Sequence, residues 1–99
     1  SLNEVNFVAF GDLSEEYHNE LYGFIEADQH LEAYRAGKPF MKYIRLLRNG
    51  NQREEQIILS EYIRHQIHHP ENTCNPRYTE QQLKESIVLM RQFIRSLAP

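Results

Sequence analysis

The sequence predicts an all-α domain: a small up-and-down four-helix bundle preceded by a short extended arm or strand. Three observations carry that reading. Apolar residues recur at three- and four-residue steps through most of the chain, which is the spacing of one helix face. Turn signals at Ala36-Gly37-Lys38-Pro39, Asn49-Gly50-Asn51 and Pro70 to Tyr78 cut the chain into helix-sized pieces. Only one segment, near the start, alternates as a strand does. The 99 residues suit a single modest core, so residues 1–99 are taken as one domain, with 1–12 as the arm and 13–99 as the bundle.

In the arm, "EVNFVAF" (residues 4–10) alternates Val5, Phe7 and Ala9 against Asn6, Val8 and Phe10, and Gly11-Asp12 ends it. No second strand candidate follows. The strand therefore needs a second copy of the chain, a further part of a longer protein, or the bundle surface as its partner. Helix one is predicted from Ser14 to about Arg35, with Ser14 or Asp12 as cap and Glu15 and Glu16 suiting its dipole. Leu13, Tyr17, Leu21, Phe24, Ile25 and Leu31 form its apolar face, with Asp28 as the polar exception.

Helix two is predicted from Pro39 to Arg48 on the stripe Phe40, Met41, Ile44 and Leu47, ending in the turn Asn49-Gly50-Asn51. Helix three is predicted from Arg53 to His68 or His69, with Leu59, Ile63 and Ile67 four apart. Helix four opens on Thr79 and Gln82, a capping-box pattern, and turns Leu83, Ile87, Met90, Phe93, Ile94 and Leu97 inward.

Charge is distributed in blocks. Residues 1–32 hold eight acids and no lysine or arginine, whereas residues 33–53 hold Arg35, Lys38, Lys42, Arg45, Arg48 and Arg53 and no acid. The plain account is mutual neutralisation across the bundle; the other is a partner that reads the basic block. Lys38, Lys42 and Arg45 share one face of the predicted helix two and are the candidate RNA-backbone contacts, with Tyr34, Phe40 and Tyr43 interleaved for stacking. No apolar run approaches the length of a membrane span and nothing resembles a secretory leader. The lone Cys74 cannot form an internal disulfide, so a reducing, cytoplasmic setting is expected.

"YIRHQIHHPEN" (residues 62–72) places Arg64, His65, His68 and His69 at a helix end before Pro70. Glu61, His65 and His69 stand at i, i+4, i+8 and could be metal ligands, but no other Cys or His is spaced to complete a site. No metal is expected. Histidines near a helix C-terminus also arise for ordinary reasons, since they interact well with the terminal carbonyls. A third reading is catalytic: imidazole moves protons near neutral pH and guanidinium binds phosphate through two donors.

Arg64-His65-Gln66-Ile67-His68-His69 resembles the R-x4-H signature of the HEPN superfamily (higher eukaryotes and prokaryotes nucleotide-binding domains). That resemblance implies a helical bundle and a homodimer whose two motifs form one composite site of a metal-independent endoribonuclease, as in toxin–antitoxin and anti-phage defence systems. Arg64 would clamp the phosphate, His69 would be the acid or base, and His65 and His68 would assist. On a regular helix His69 lies about 140° round from Arg64 and His68 about 40°, but Pro70 frees His69 from the helix face. "EYIRHQIHHPEN", "NPRYTEQQLKESIVLMRQFI" and "FGDLSEEYHNELYGFIEA" also resemble the end region of some bacterial AAA-type ATPases. That implies an ATPase portion of a longer chain as partner. No Gly-x4-Gly-Lys-Ser/Thr pattern is present and no cofactor is implied. The alternative to catalysis is a dimerisation or regulatory module of such an ATPase. Tyr17-His18-Asn19-Glu20 is the second polar cluster, read as a solvated helix face or, if helices one and three are neighbours, as an approach to Arg64.

Overall fold

The computed structural model describes residues 1–98. In chain order the elements are α1 (Leu2–Phe10), α2 (Glu15–Ala27), α3 (Leu31–Arg35), β1 (Phe40–Leu46), β2 (Gln52–Ile58), α4 (Leu59–His68) and α5 (Glu80–Ser96). The all-α expectation is therefore corrected: the fold is mixed, with α2, α4 and α5 packed together and an antiparallel β1–β2 hairpin laid against α4.

The expected N-terminal strand is helix α1. Seven residues of mixed apolar spacing satisfy both periods, and since α1 buries none of them fully, backbone pairing decides between the two. An unpaired strand would leave its backbone groups without partners, whereas a helix satisfies its own. Ser1 caps α1 by accepting the Glu4 N–H, Gly11 closes it at φ 69°, and Phe7 anchors it 5.6 Å from the Tyr17 ring.

Helix one is shorter than predicted. It stops at Ala27, Gln29 takes a positive φ of 59°, and the chain restarts as the single turn α3. Tyr34 on that turn is fully buried against Phe93, so the break redirects an aromatic side chain into the core.

The expected helix two and the first third of helix three are the hairpin. Its register pairs Phe40 with Ile58, Tyr43 with Glu55 and Leu46 with Gln52. Asn49-Gly50-Asn51 is a turn as predicted, with Gly50 at φ 85°, but it joins strands rather than helices. An Asn-Gly pair between β-prone runs is itself a hairpin signal. The i, i+4 stripe of Phe40, Ile44 and Leu47 competed with it. In the hairpin Tyr43 and Ile57 point inward, and Phe40, Lys42, Leu46, Gln52, Glu54 and Gln56 remain exposed.

Helix α5 starts where the sequence places it. Thr79 Oγ1 accepts the Gln82 N–H at 3.1 Å and Gln82 Oε1 accepts the Thr79 N–H at 2.8 Å. Leu83, Ile87 and Met90 meet Tyr17, Leu21 and Ile25 of α2 and Tyr62 and Ile63 of α4 in one core. A polar chain crosses that core: Tyr34 Oη to Ser60 Oγ at 2.8 Å, Ser60 Oγ to Ser86 Oγ at 2.6 Å, and Ser86 Oγ to His18 Nε2 at 2.7 Å. His18 is thus a buried member of four packed helices and not part of a solvated face.

Candidate functional site

Helix α4 begins at Leu59 because Glu61, held by Arg35 at 2.8 and 2.5 Å, accepts the Ile58 N–H and ends the strand. Tyr62, Ile63 and Gln66 face the core. That orientation leaves Arg64 and His68 on one flank of the last turns and His65 and His69 on the other. At His69 the backbone leaves helical geometry (φ −128°, ψ 65°), although its N–H still reaches the His65 carbonyl at 2.9 Å.

On the hairpin flank the charges form a continuous chain. Arg45 grips Glu55 with two bonds, 2.8 and 2.9 Å, and Arg53 joins the same carboxylate at 2.9 Å. The Arg45 hydrogen bond, with that of Arg53 behind it, holds the Glu55 carboxyl down at about 2. Arg45 Nη2 then lies 3.4 Å from His65 Nε2, which must accept, because guanidinium only donates. Burial and then Arg45 push His65 below its ordinary value. Its ring sits over Tyr43 at 5.2 Å and 6.4 Å from the His69 ring. His69 Nδ1 meets Glu71 at 3.3 Å, and Nε2 has no hydrogen-bond partner among the described residues.

Of these groups Arg45, Tyr43, His69 and Glu71 border an open cleft of about 380 Å³, lined also by Leu46 and Arg48. Its far wall, the loop 70–78, is fastened by side chains. Asn75 bonds both the N–H and the carbonyl of Ile44, at 2.8 and 2.9 Å, as a neighbouring strand would. Asn72 adds bonds to the Ile44 carbonyl and the Tyr43 hydroxyl. Gln66 and Tyr62 both bond the Pro76 carbonyl, so α4 and the loop hold each other.

On the other flank the Arg64 guanidinium carbon sits over the Tyr22 ring of α2, 4.8 Å from its centroid. Slight burial and then Arg64 push His68 below its ordinary value. Arg64 and His69 therefore stand on opposite flanks of α4 within one chain, and Arg64 shares its flank with His68.

The three candidate RNA contacts are separated. Lys38 Nζ donates to the Tyr34 carbonyl at 2.6 Å and covers that ring at 4.0 Å. Lys42 stands on the exposed hairpin face, and Arg45 points to the α4 side. Of the three aromatic residues interleaved with them, Tyr34 and Tyr43 are buried and Phe40 is exposed. Glu61 is committed to Arg35, and among the described residues no group of three His, Cys, Asp or Glu side chains is placed to hold a metal ion. Sequence reasoning missed Glu55, Asn72 and Asn75, and named Arg48 only as part of the basic block. The Asn-Gly turn was the signal that would have set Arg45 and Glu55 diagonally across a hairpin.

No protein-family model, curated protein or solved structure matches this chain.

Proposed function

We propose that the chain is an RNA-directed domain whose cleft binds a phosphodiester and cleaves it without needing a metal ion. The observation that supports this reading most is the convergence of Arg45, Arg48 and His69 on one cleft, with His65 immediately behind Arg45. Glu55 and His65 hold Arg45 in a fixed orientation, and Arg48 has no carboxylate partner within 4 Å among the described residues. Guanidinium groups in such positions bind phosphate oxygens and stabilise charge that grows on them. His69 takes the proton of a ribose 2′-hydroxyl as its oxygen attacks phosphorus; the bond from phosphorus to the 5′ oxygen breaks, and solvent protonates that oxygen. Arg48 here takes the clamping role that the motif alone assigns to Arg64, with Arg45, held by Glu55 and His65, lining the cleft beside it.

The test is incubation with single-stranded RNA and total tRNA in excess EDTA, beside His69→Ala and Arg48→Ala. Loss of cleavage in both variants supports the reading. Intact RNA with all three proteins, or equal cutting by all three, removes it.

A second reading, a non-catalytic association module, draws on α1, which exposes Leu2, Val5, Val8 and Phe10 at 55–74% of their surface. Such a run is larger than scattered surface apolar residues require. A monomeric mass at high concentration in sedimentation counts against self-association.

A further inference from the structure

We infer that Arg64 and His68 form a second phosphate subsite on the flank of α4 opposite the cleft, so that the ligand is a single-stranded RNA segment crossing the helix end. The inference rests on the RNA reading of the cleft and names the form of its ligand.

Most arginines here are committed to carboxylates: Arg35 to Glu61, Arg45 and Arg53 to Glu55, Arg77 to Glu15 and Arg91 to Glu4. Among the described residues Arg48, Arg64 and Arg95 have no such partner within 4 Å. Two of these three flank the last turn of α4, Arg48 across the cleft and Arg64 on the other side. Arg64 is also the better organised of the pair. Its guanidinium carbon is held 4.8 Å from the Tyr22 centroid, and a guanidinium held against a ring face by cation–π attraction keeps N–H groups for a planar or tetrahedral oxyanion. His68, one turn further on and exposed, adds a donor beside it.

Glu26 is the opposing charge on this flank. It acts on both Tyr22 and His68 but does not pair with Arg64. A helix is about 10–12 Å across, and successive phosphates of one strand advance about 3.4 Å in a stacked form. A strand bridging the two flanks therefore needs about three to four nucleotides, and a mononucleotide reaches only one flank. The exposed end of the helix, His65 to His69, lies under that path and presents no bulky apolar side chain apart from half-buried Ile67.

The experiment measures affinity for uridine 3′-monophosphate and for an eight-nucleotide oligouridylate by fluorescence anisotropy competition, across a salt series. Wild type, Arg64→Ala, Arg64→Lys, Glu26→Gln and Arg48→Ala are compared, with melting temperatures as the folding control. Arg64→Ala is expected to weaken the octamer several-fold, leave the mononucleotide unchanged, and reduce the slope of log K against log salt by about 0.7, one single-strand phosphate contact. Arg64→Lys should restore the slope, and Glu26→Gln should tighten the octamer. Arg48→Ala should weaken both ligands. An unchanged octamer slope in Arg64→Ala, with Arg48→Ala still impaired, overturns the second subsite and leaves the cleft reading intact. Absence of octamer binding by the wild type, or equal binding of a polyglutamate peptide, overturns both.

Discussion

The first turn of α4 and its last differ in what surrounds them. Ser60 and Ile63 are enclosed in the helical core and Tyr62 is buried against Tyr43 and the Pro76 carbonyl, whereas His68 and His69 are exposed and His65 stands beside the hairpin. In the first region stability comes from close packing and from polar atoms that all find protein partners, apart from His18 Nδ1 and Asn19 Oδ1. In the second, charged groups are held by one another at the surface, where ion pairs add little stability. The contrast teaches where a substitution should unfold the chain and where it should alter only what the chain binds.

The sharpest way to test that contrast is to empty the enclosed end. Ile87→Ala, at a fully buried position, should cost about 2–5 kcal/mol of unfolding free energy, read as a lower urea midpoint. A cost below about 1 kcal/mol would mean that the helical core is not packed as described.

Next in size is a pH effect confined to the same end. Burial first, and Arg64 second, push the His18 imidazole down to about 4. The folded chain therefore resists a proton that the unfolded chain accepts near 6.5. Its neutral form carries full stability above pH 6.5, and stability falls as pH drops from there toward 4. Across the whole window the loss is about 3 kcal/mol at ~1.4 kcal/mol per unit. Urea titrations at pH 7 and pH 4.5 should show it, and His18→Gln should remove most of the difference.

A smaller effect is expected where the two regions meet. Asn75→Ala removes two of the three side-chain bonds at Ile44, leaving that of Asn72, and should cost about 1–2 kcal/mol. Amide exchange at Ile44 should quicken more than exchange in α5. Uniform quickening would show that the loop 70–78 is part of the core unit and not a separately fastened wall.

The smallest change in stability belongs to the open end. Arg48→Ala removes an exposed side chain with no ion pair among the described residues and should move unfolding free energy by less than about 0.5 kcal/mol. Affinity for phosphate-bearing ligands should nevertheless fall. A large loss of stability there would erase the distinction between the two regions.

Some of this molecule is written locally. Thr79 and Gln82 specify the start of α5, because a capping box is satisfied within four residues. Leu83, Ile87 and Met90 specify its buried face, and Ser14 specifies the start of α2 through its bond to the Tyr17 N–H. Asn49-Gly50-Asn51 specifies a turn. The clustering of Arg64, His65, His68 and His69 at a helix end is also legible, since Pro70 closes the helix wherever it packs.

Tertiary structure decided the rest. Residues 2–10 and 40–58 carry apolar spacings that fit both periods, and only partners choose between them. Phe7 on Tyr17 makes the first a helix, and the pairing of Tyr43 with Glu55 makes the second a hairpin. That choice turned Lys42 away from Arg45, brought Arg45 to His65 and Arg48 to the cleft, and gave Glu55 its place behind Arg45. The identity of a charged residue is fixed in the sequence. Its neighbour depends on a strand register that no single stretch of the chain contains.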